Sequence, residues 1–230
     1  MFDPLVSLLE RDFTLVIPDL RGHGASDAMA GPYTVEQSAT DVVELLDHLQ
    51  VPAAALLGYS QGGPICQQVA YESPARVDRL ILACTYAHNT ATTREYLEGL
   101  VLAGLVRVVG ARRLMGLMVR EGSLGGGPPL SAEQVTWLRG VLGFGSRAAM
   151  VGAVNGMRQF DSRPWLSAIT ARTLVVAGAE DEGAPEHHFQ MLTGKIPNVA
   201  SRVVAGAGHA LVWTHTSALA EIVRDWLRET

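Results

Sequence analysis

The pentapeptide Gly58-Tyr59-Ser60-Gln61-Gly62 sets a serine between two glycines where an apolar run stops. A serine hydroxyl is a weak nucleophile at its ordinary pKa and needs a base beside it. The base in turn needs a carboxylate to fix its tautomer and stabilise its cation. Seven histidines compete for the first role. His209, in "VVAGAGHALVW", follows an apolar β-branched run, and its glycine neighbours leave an imidazole unobstructed. His48 falls on an amphipathic helical pattern, and His187 and His188 open a helix where capping or exposure is expected. His88 and His215 have no framing motif, and His23 in "RGHG" belongs to a loop it would shape. For the acid, "VVAGAEDEGAP" offers Glu180, Asp181 and Glu182, and the residue pattern leaves the three open. Serine, acid and histidine in that chain order suit acyl transfer through a covalent intermediate.

Such chemistry requires the three groups to meet, so the elements around them matter. "AAALLG" reads as a buried strand and "QGGPICQQVAYE" as a helix, which puts Ser60 on a sharp strand-to-helix turn. Glycine permits close approach of the two backbones there. The helix start also offers backbone N–H groups without intrahelical partners, Gln61 N–H first among them, to a developing oxyanion. "FTLVIPDL", "VDRLILAC", "RTLVVAG" and "SRVVAG" read as further strands. "DPLVSLLER", with Asp3 as N-cap, "TVEQSATDVVELLDHLQ", "EHHFQMLTGKI" and "TSALAEIVRDWL" read as helices. Strands alternating with helices predict an α/β fold, a mostly parallel sheet with helices on both faces. Parallel sheets gather their chemistry at the carboxyl ends of the strands, where Ser60, the acid cluster and His209 all fall.

Residues 86–165 break the alternation with helical runs rich in Leu, Met and Val and a glycine-proline loop, "EGSLGGGPPLS". The expected organisation is a core of residues 1–85 and 166–230 with a helical insertion at 86–165. Met115, Leu117, Met118, Trp137, Phe144, Met150, Met157 and Phe160 are candidates for an apolar substrate pocket, Trp137, Phe144 and Tyr59 foremost, although for most of them holding the insertion onto the core is the plainer reading. Arg112 and Arg113 are candidates to meet a substrate carboxylate, although an exposed surface pair is the plainer reading.

Hydrophobic residues make up 48% of the 230 and charged residues 18%, enough apolar material for a sizeable core. The formal charge of −5 and a single lysine, Lys195, argue against a nucleic-acid or anionic-membrane partner. Two cysteines make no disulfide framework, and with neither a signal peptide nor an 18-residue apolar run the expectation is a reduced, cytoplasmic protein, a monomer or homodimer.

Taken together, "PDLRGHGASD", "GYSQGG", "GAEDEGAP" and "GAGH" resemble the α/β-hydrolase family, in its cap-bearing serine esterase and enol-lactonase-like branch. The resemblance covers nearly the whole chain. It implies that Asp181, at the aspartate of a G-x-x-D-x-x-x-P loop, is the acid, and that 86–165 forms a cap. Ser60 distinguishes the chain from the family's dehalogenases, which carry aspartate there. The implied activity is hydrolysis of a small carboxylic ester or lactone, without metal or organic cofactor; thioester hydrolysis, perhydrolysis and carbon–carbon bond hydrolysis use the same triad. In the family a His-Gly segment supplies a second oxyanion donor, on a strand between those expected at residues 13–17 and 53–57. No such segment precedes Asp3. The resemblance therefore also implies a gap in the sheet, weak activity and poor solubility, or a non-catalytic ligand-binding remnant.

Overall fold

The computed structural model describes residues 2–28, 31–110, 113–114, 125–141 and 147–229. In chain order its elements are α1 (Asp3–Leu9), α2 (Val35–His48), β1 (Ala54–Tyr59), α3 (Gly62–Glu72), β2 (Val77–Ala83), α4 (Thr93–Val109), α5 (Ala132–Val141), α6 (Arg147–Gln159), β3 (Arg172–Gly178), α7 (Glu186–Lys195), β4 (Val199–Val204), α8 (Leu211–Thr214) and α9 (Thr216–Arg228). Among the described residues the sheet is four-stranded, order β1-β2-β3-β4, and every pairing is parallel.

Local chemistry starts and stops these elements. Thr34 caps α2 by accepting the Gln37 N–H, and the predicted stripe follows, with Val35, Ala39 and Leu46 buried. In α9 the buried residues Leu219, Ala220, Val223 and Trp226 form one face at helical spacing. α4 opens with a complete capping box between Thr92 and Glu95. At α1 the cap position falls on Phe2, without a side-chain bond, and Asp3 sits inside the first turn, where its charge suits the helix dipole.

Successive strand residues point to opposite faces, which gives the sheet two cores. Ile81, Leu174 and Val176 face α1, α8 and α9, through Leu5, Leu9, Leu211 and Leu219. Leu80, Leu82 and Val175 face α2, α3 and α7, through Val35, Ile65 and Leu192. Helices therefore cover both faces, as the alternating pattern requires. The 86–165 stretch carries α4, α5 and α6 between β2 and β3 and no strand among its described residues.

One expected strand is not formed. Residues 13–17 are extended without a ladder, and β1 pairs with β2 alone among the described residues. A β-branched apolar run becomes a strand only when a neighbour supplies hydrogen bonds; here no partner lies alongside among the described residues. Phe13 and Leu15 still pack on the core. Val16 and Ile17 remain 46% and 50% exposed.

Candidate active site

Ser60 sits one residue past β1 with φ of +49°, in the left-handed region. A non-glycine residue held there stores roughly 1–3 kcal/mol of strain, which the surroundings must over-determine. They do so with three bonds: Ser60 N–H donates to Ala83 O (3.0 Å), Gly63 N–H to Ser60 O (3.0 Å), and Thr85 Oγ1 to Ser60 O (2.7 Å). The glycines divide the labour unevenly. A Cβ at Gly58 would stand 2.6 Å from Gly62 O, and one at Gly63 would stand 2.0 Å from Thr85 Oγ1, whereas Gly62 has open space around it. Close approach is thus required at Gly58 and Gly63, not at Gly62.

The turn brings the Ser60 hydroxyl to 2.9 Å from His209 Nε2. His209 lies beyond β4 on the loop that leads into α8. Its other nitrogen, Nδ1, is 2.9 Å from Asp181 Oδ1 and 3.2 Å from Oδ2. The Asp181 side chain is only 2% exposed, and its Oδ1 also accepts the N–H groups of Gly183 (2.9 Å) and Ala184 (2.7 Å). Those backbone donors close the loop after β3 around the carboxylate, so its position does not depend on His209 alone. Glu180 and Glu182 point to solvent. Of the three acids in the run, the loop turns Asp181 alone inward.

Gln61 is the N-cap of α3, so its N–H has no partner within the helix. Gln61 also lines a shallow cleft with Leu20, His23, Tyr33, Ile65 and Met157. His23 Nδ1 faces Arg21 O at 3.0 Å, and His88 Nδ1 faces Phe160 O at 3.0 Å, so both imidazoles are engaged locally.

The expected pocket residues fare differently. Tyr59 is 5% exposed, and its hydroxyl donates to His209 O. Its ring lies edge-on to Phe2 and Trp213 and tilted against His209. Tyr59 therefore braces the histidine loop from beneath instead of reaching a substrate, because side chains alternate along β1 and this one turns into the core. Trp137, on α5, is half-buried and packs against the α1–α9 core. Phe144, Met115, Leu117, Met118 and Arg112 lie outside the described residues.

Three contributors escaped the sequence reading. The Gly125-Gly126-Gly127 run, expected only as part of a glycine-proline loop, lies against the loops that bear Asp181 and His209. Gly125 O accepts the N–H groups of Glu182 (3.0 Å) and His209 (2.9 Å). All three glycines have positive φ, and a Cβ on Gly126 would stand 1.9 Å from Glu180 O. Second, Cys84 neighbours Asp181; burial first, then the carboxylate beside it, hold its thiol well above the usual range, so it stays a neutral S–H. Third, His188 was expected to cap or be exposed, yet it is 2% exposed, and it and His187 both face Glu95. Burial, then the neighbouring His187, pulls the His188 imidazole down to about 4. Two adjacent histidines at a helix start gave no sign that α4, distant in the chain, would cover them.

A family profile described as an alpha/beta hydrolase fold matches residues 1–112. The 3-oxoadipate enol-lactonase 2 of Acinetobacter baylyi is 33% identical over 181 residues, covering 79% of this chain and 66% of that protein. The chain thus spans about two thirds of that relative's length. A hydrolase of Pseudomonas aeruginosa superposes with a TM-score of 0.87 at 29% identity, over 100% of this chain and 85% of the other. The chain belongs to the α/β-hydrolase family. A second structure, a thermophilic esterase of Thermogutta terrifontis, matches with a TM-score of 0.86 at 25% identity, over 99% and 84% of the two chains. No described helix of this α/β-hydrolase is long and apolar enough to cross a membrane.

Proposed function

We propose that this chain is a serine-dependent hydrolase of small carboxylic esters or lactones, with 86–165 as its cap. The observation that carries the reading is the series Ser60 Oγ, His209 Nε2, His209 Nδ1, Asp181 Oδ1, with 2.9 Å at each hydrogen bond. With Nδ1 protonated and donating to Asp181, Nε2 presents its lone pair to the Ser60 hydroxyl. Ser60 Oγ attacks the carbonyl carbon as its proton passes to His209 Nε2. The developing imidazolium is stabilised by the buried Asp181 carboxylate. Gln61 N–H donates to the oxyanion, where one such donor contributes about 10²–10³ in turnover. The tetrahedral intermediate collapses as His209 protonates the leaving alcohol, or the enolate of an opened lactone. Water then attacks the acyl-enzyme by the same proton path and returns the carboxylic acid product.

The relatives' names favour this substrate class, an enol-lactonase and an esterase among them. The cap role is supported by the cleft beside Gln61, whose lining includes Ala153, Gly156 and Met157 of α6. A fluorophosphonate probe should label the chain, and Ser60→Ala should abolish both the label and the turnover of p-nitrophenyl esters. Equal labelling of the Ala variant, or saturable binding of esters without turnover by the unsubstituted chain, would overturn the assignment.

A further inference from the structure

Away from the Ser60 series, three metal-ligating side chains from two distant parts of the chain converge. Glu95 lies in the first turn of α4, and His187 and His188 lie in the first turn of α7. Glu95 Oε1 is 2.7 Å from His187 Nε2 and 3.2 Å from His188 Nε2. One ligand atom from each residue falls within 4.8 Å of the other two. The carboxylate is held in place by the capping box: its Oε2 accepts the Thr92 N–H at 3.0 Å, which leaves Oε1 toward the histidines. The rings lie 4.1 Å apart, and the side chains of Glu95 and His188 are 15% and 3% exposed.

His188 hydrogen-bonds to Glu95, but the cluster is not fully satisfied, since His187 Nε2 and His188 Nδ1 are buried without a hydrogen-bond partner. His187 Nε2 is buried and within 2.7 Å of a carboxylate oxygen, yet forms no hydrogen bond to it. A buried imidazole nitrogen that makes no hydrogen bond keeps its coordinating capacity for another partner. Around a tetrahedral Zn²⁺, bonds of about 2.0–2.2 Å place neighbouring donors roughly 3.3 Å apart; the 3.2 Å between Glu95 Oε1 and His188 Nε2 matches that spacing, and the 2.7 Å to His187 Nε2 has to open on binding. Two imidazoles and one carboxylate are also a donor set suited to zinc.

We propose that Glu95, His187 and His188 form a three-ligand site for Zn²⁺, with water in the fourth position. The ion joins α4 to the start of α7, which directly follows the loop bearing Asp181. It fixes the expected cap against that loop. An outer-shell partner is already present, since the Thr92 N–H orients the Glu95 carboxylate.

The test is titration of the full, tag-free chain with ZnCl₂ by isothermal calorimetry, alongside thermal unfolding with and without the ion. Glu95→Gln and His187→Ala are the informative variants, because both side chains retain some exposure and the metal-free midpoint of each reports whether it folds. The unsubstituted chain should bind one equivalent and unfold at a higher temperature with zinc. Each variant should lose more than the roughly 10–100-fold in affinity that follows from disturbing an outer-shell partner. His209→Ala should bind as the unsubstituted chain does, which separates this site from the Ser60 series and the outcome from any failure of the hydrolase reading. The proposal is overturned by absence of saturable binding, by equal affinity in Glu95→Gln and His187→Ala, or by binding that disappears in His209→Ala alone.

Discussion

Single atoms decide the candidate site, and five substitutions probe it at that scale. Asp181→Asn keeps the shape of the loop but removes the charge and favours the wrong imidazole tautomer. It should lower ester turnover by about 10⁴-fold, while Glu182→Gln, on an exposed neighbour, should leave turnover near that of the unsubstituted chain. Steady-state kinetics on one p-nitrophenyl ester separates the two. The glycines give the second contrast. A methyl group at Gly58 would meet backbone 2.6 Å away, so Gly58→Ala should unfold several degrees lower. Gly62 has room, and alanine exceeds glycine in helix propensity by roughly 1 kcal/mol, so Gly62→Ala should match or exceed the parent thermal midpoint. Equal losses at the two positions would show that the turn tolerates neither. Tyr59→Phe leaves His209 O without its buried donor, a loss of about 1–3 kcal/mol. It should shift the unfolding midpoint with little change in the range of esters accepted.

At the scale of elements, the site depends on a segment distant from it in sequence. The Gly125–Gly127 run holds the acid and histidine loops through backbone alone, since side chains there would collide with Glu180 O and Gly208 N. Gly126→Ala should push those loops apart. A misplacement of about 1 Å can lower turnover around 100-fold, so fluorophosphonate labelling of Ser60 should slow far more than the thermal midpoint falls. Unchanged labelling would show the contact to be incidental. Trp137 makes the complementary case on α5. It packs on the core while remaining partly exposed, so Trp137→Ala should remove a fraction of the roughly 3–5 kcal/mol typical of buried aromatic truncations. The expected signature is a lower midpoint with unaltered relative rates across an ester panel. A changed acyl preference at constant stability would return Trp137 to the pocket.

For the whole molecule, the outcome turns on the sheet edge. β1 carries the serine turn and is hydrogen-bonded on one side only among the described residues. Val16 and Ile17 lie exposed in an extended segment. Unsatisfied strand edges and exposed apolar runs favour self-association. The purified 230-residue chain should therefore form concentration-dependent oligomers in size-exclusion chromatography. Val16→Lys should reduce them without slowing Ser60 labelling. A monomer at every concentration would show that the edge is covered.

The sequence by itself determined the alternation of strands and helices, the turn at Ser60 and the loops that follow β3 and β4. Each is a local property: apolar period, capping residue, glycine at a tight approach. The strand rhythm also stops over 86–165, where the described residues form helices and no strand. Tertiary structure decided what depends on neighbours remote in the chain. Residues 13–17 have strand composition but no ladder, since a strand exists only with a partner. Tyr59 turns into the core because alternation along β1 leaves it on the α1–α9 face. Composition left three acids open and the resemblance singled out Asp181; only the tertiary structure gives the backbone turn that buries this carboxylate and leaves Glu180 and Glu182 exposed. Gly125–Gly127 and the Glu95, His187 and His188 cluster were illegible because each joins segments far apart in sequence, and no local pattern records where such segments meet.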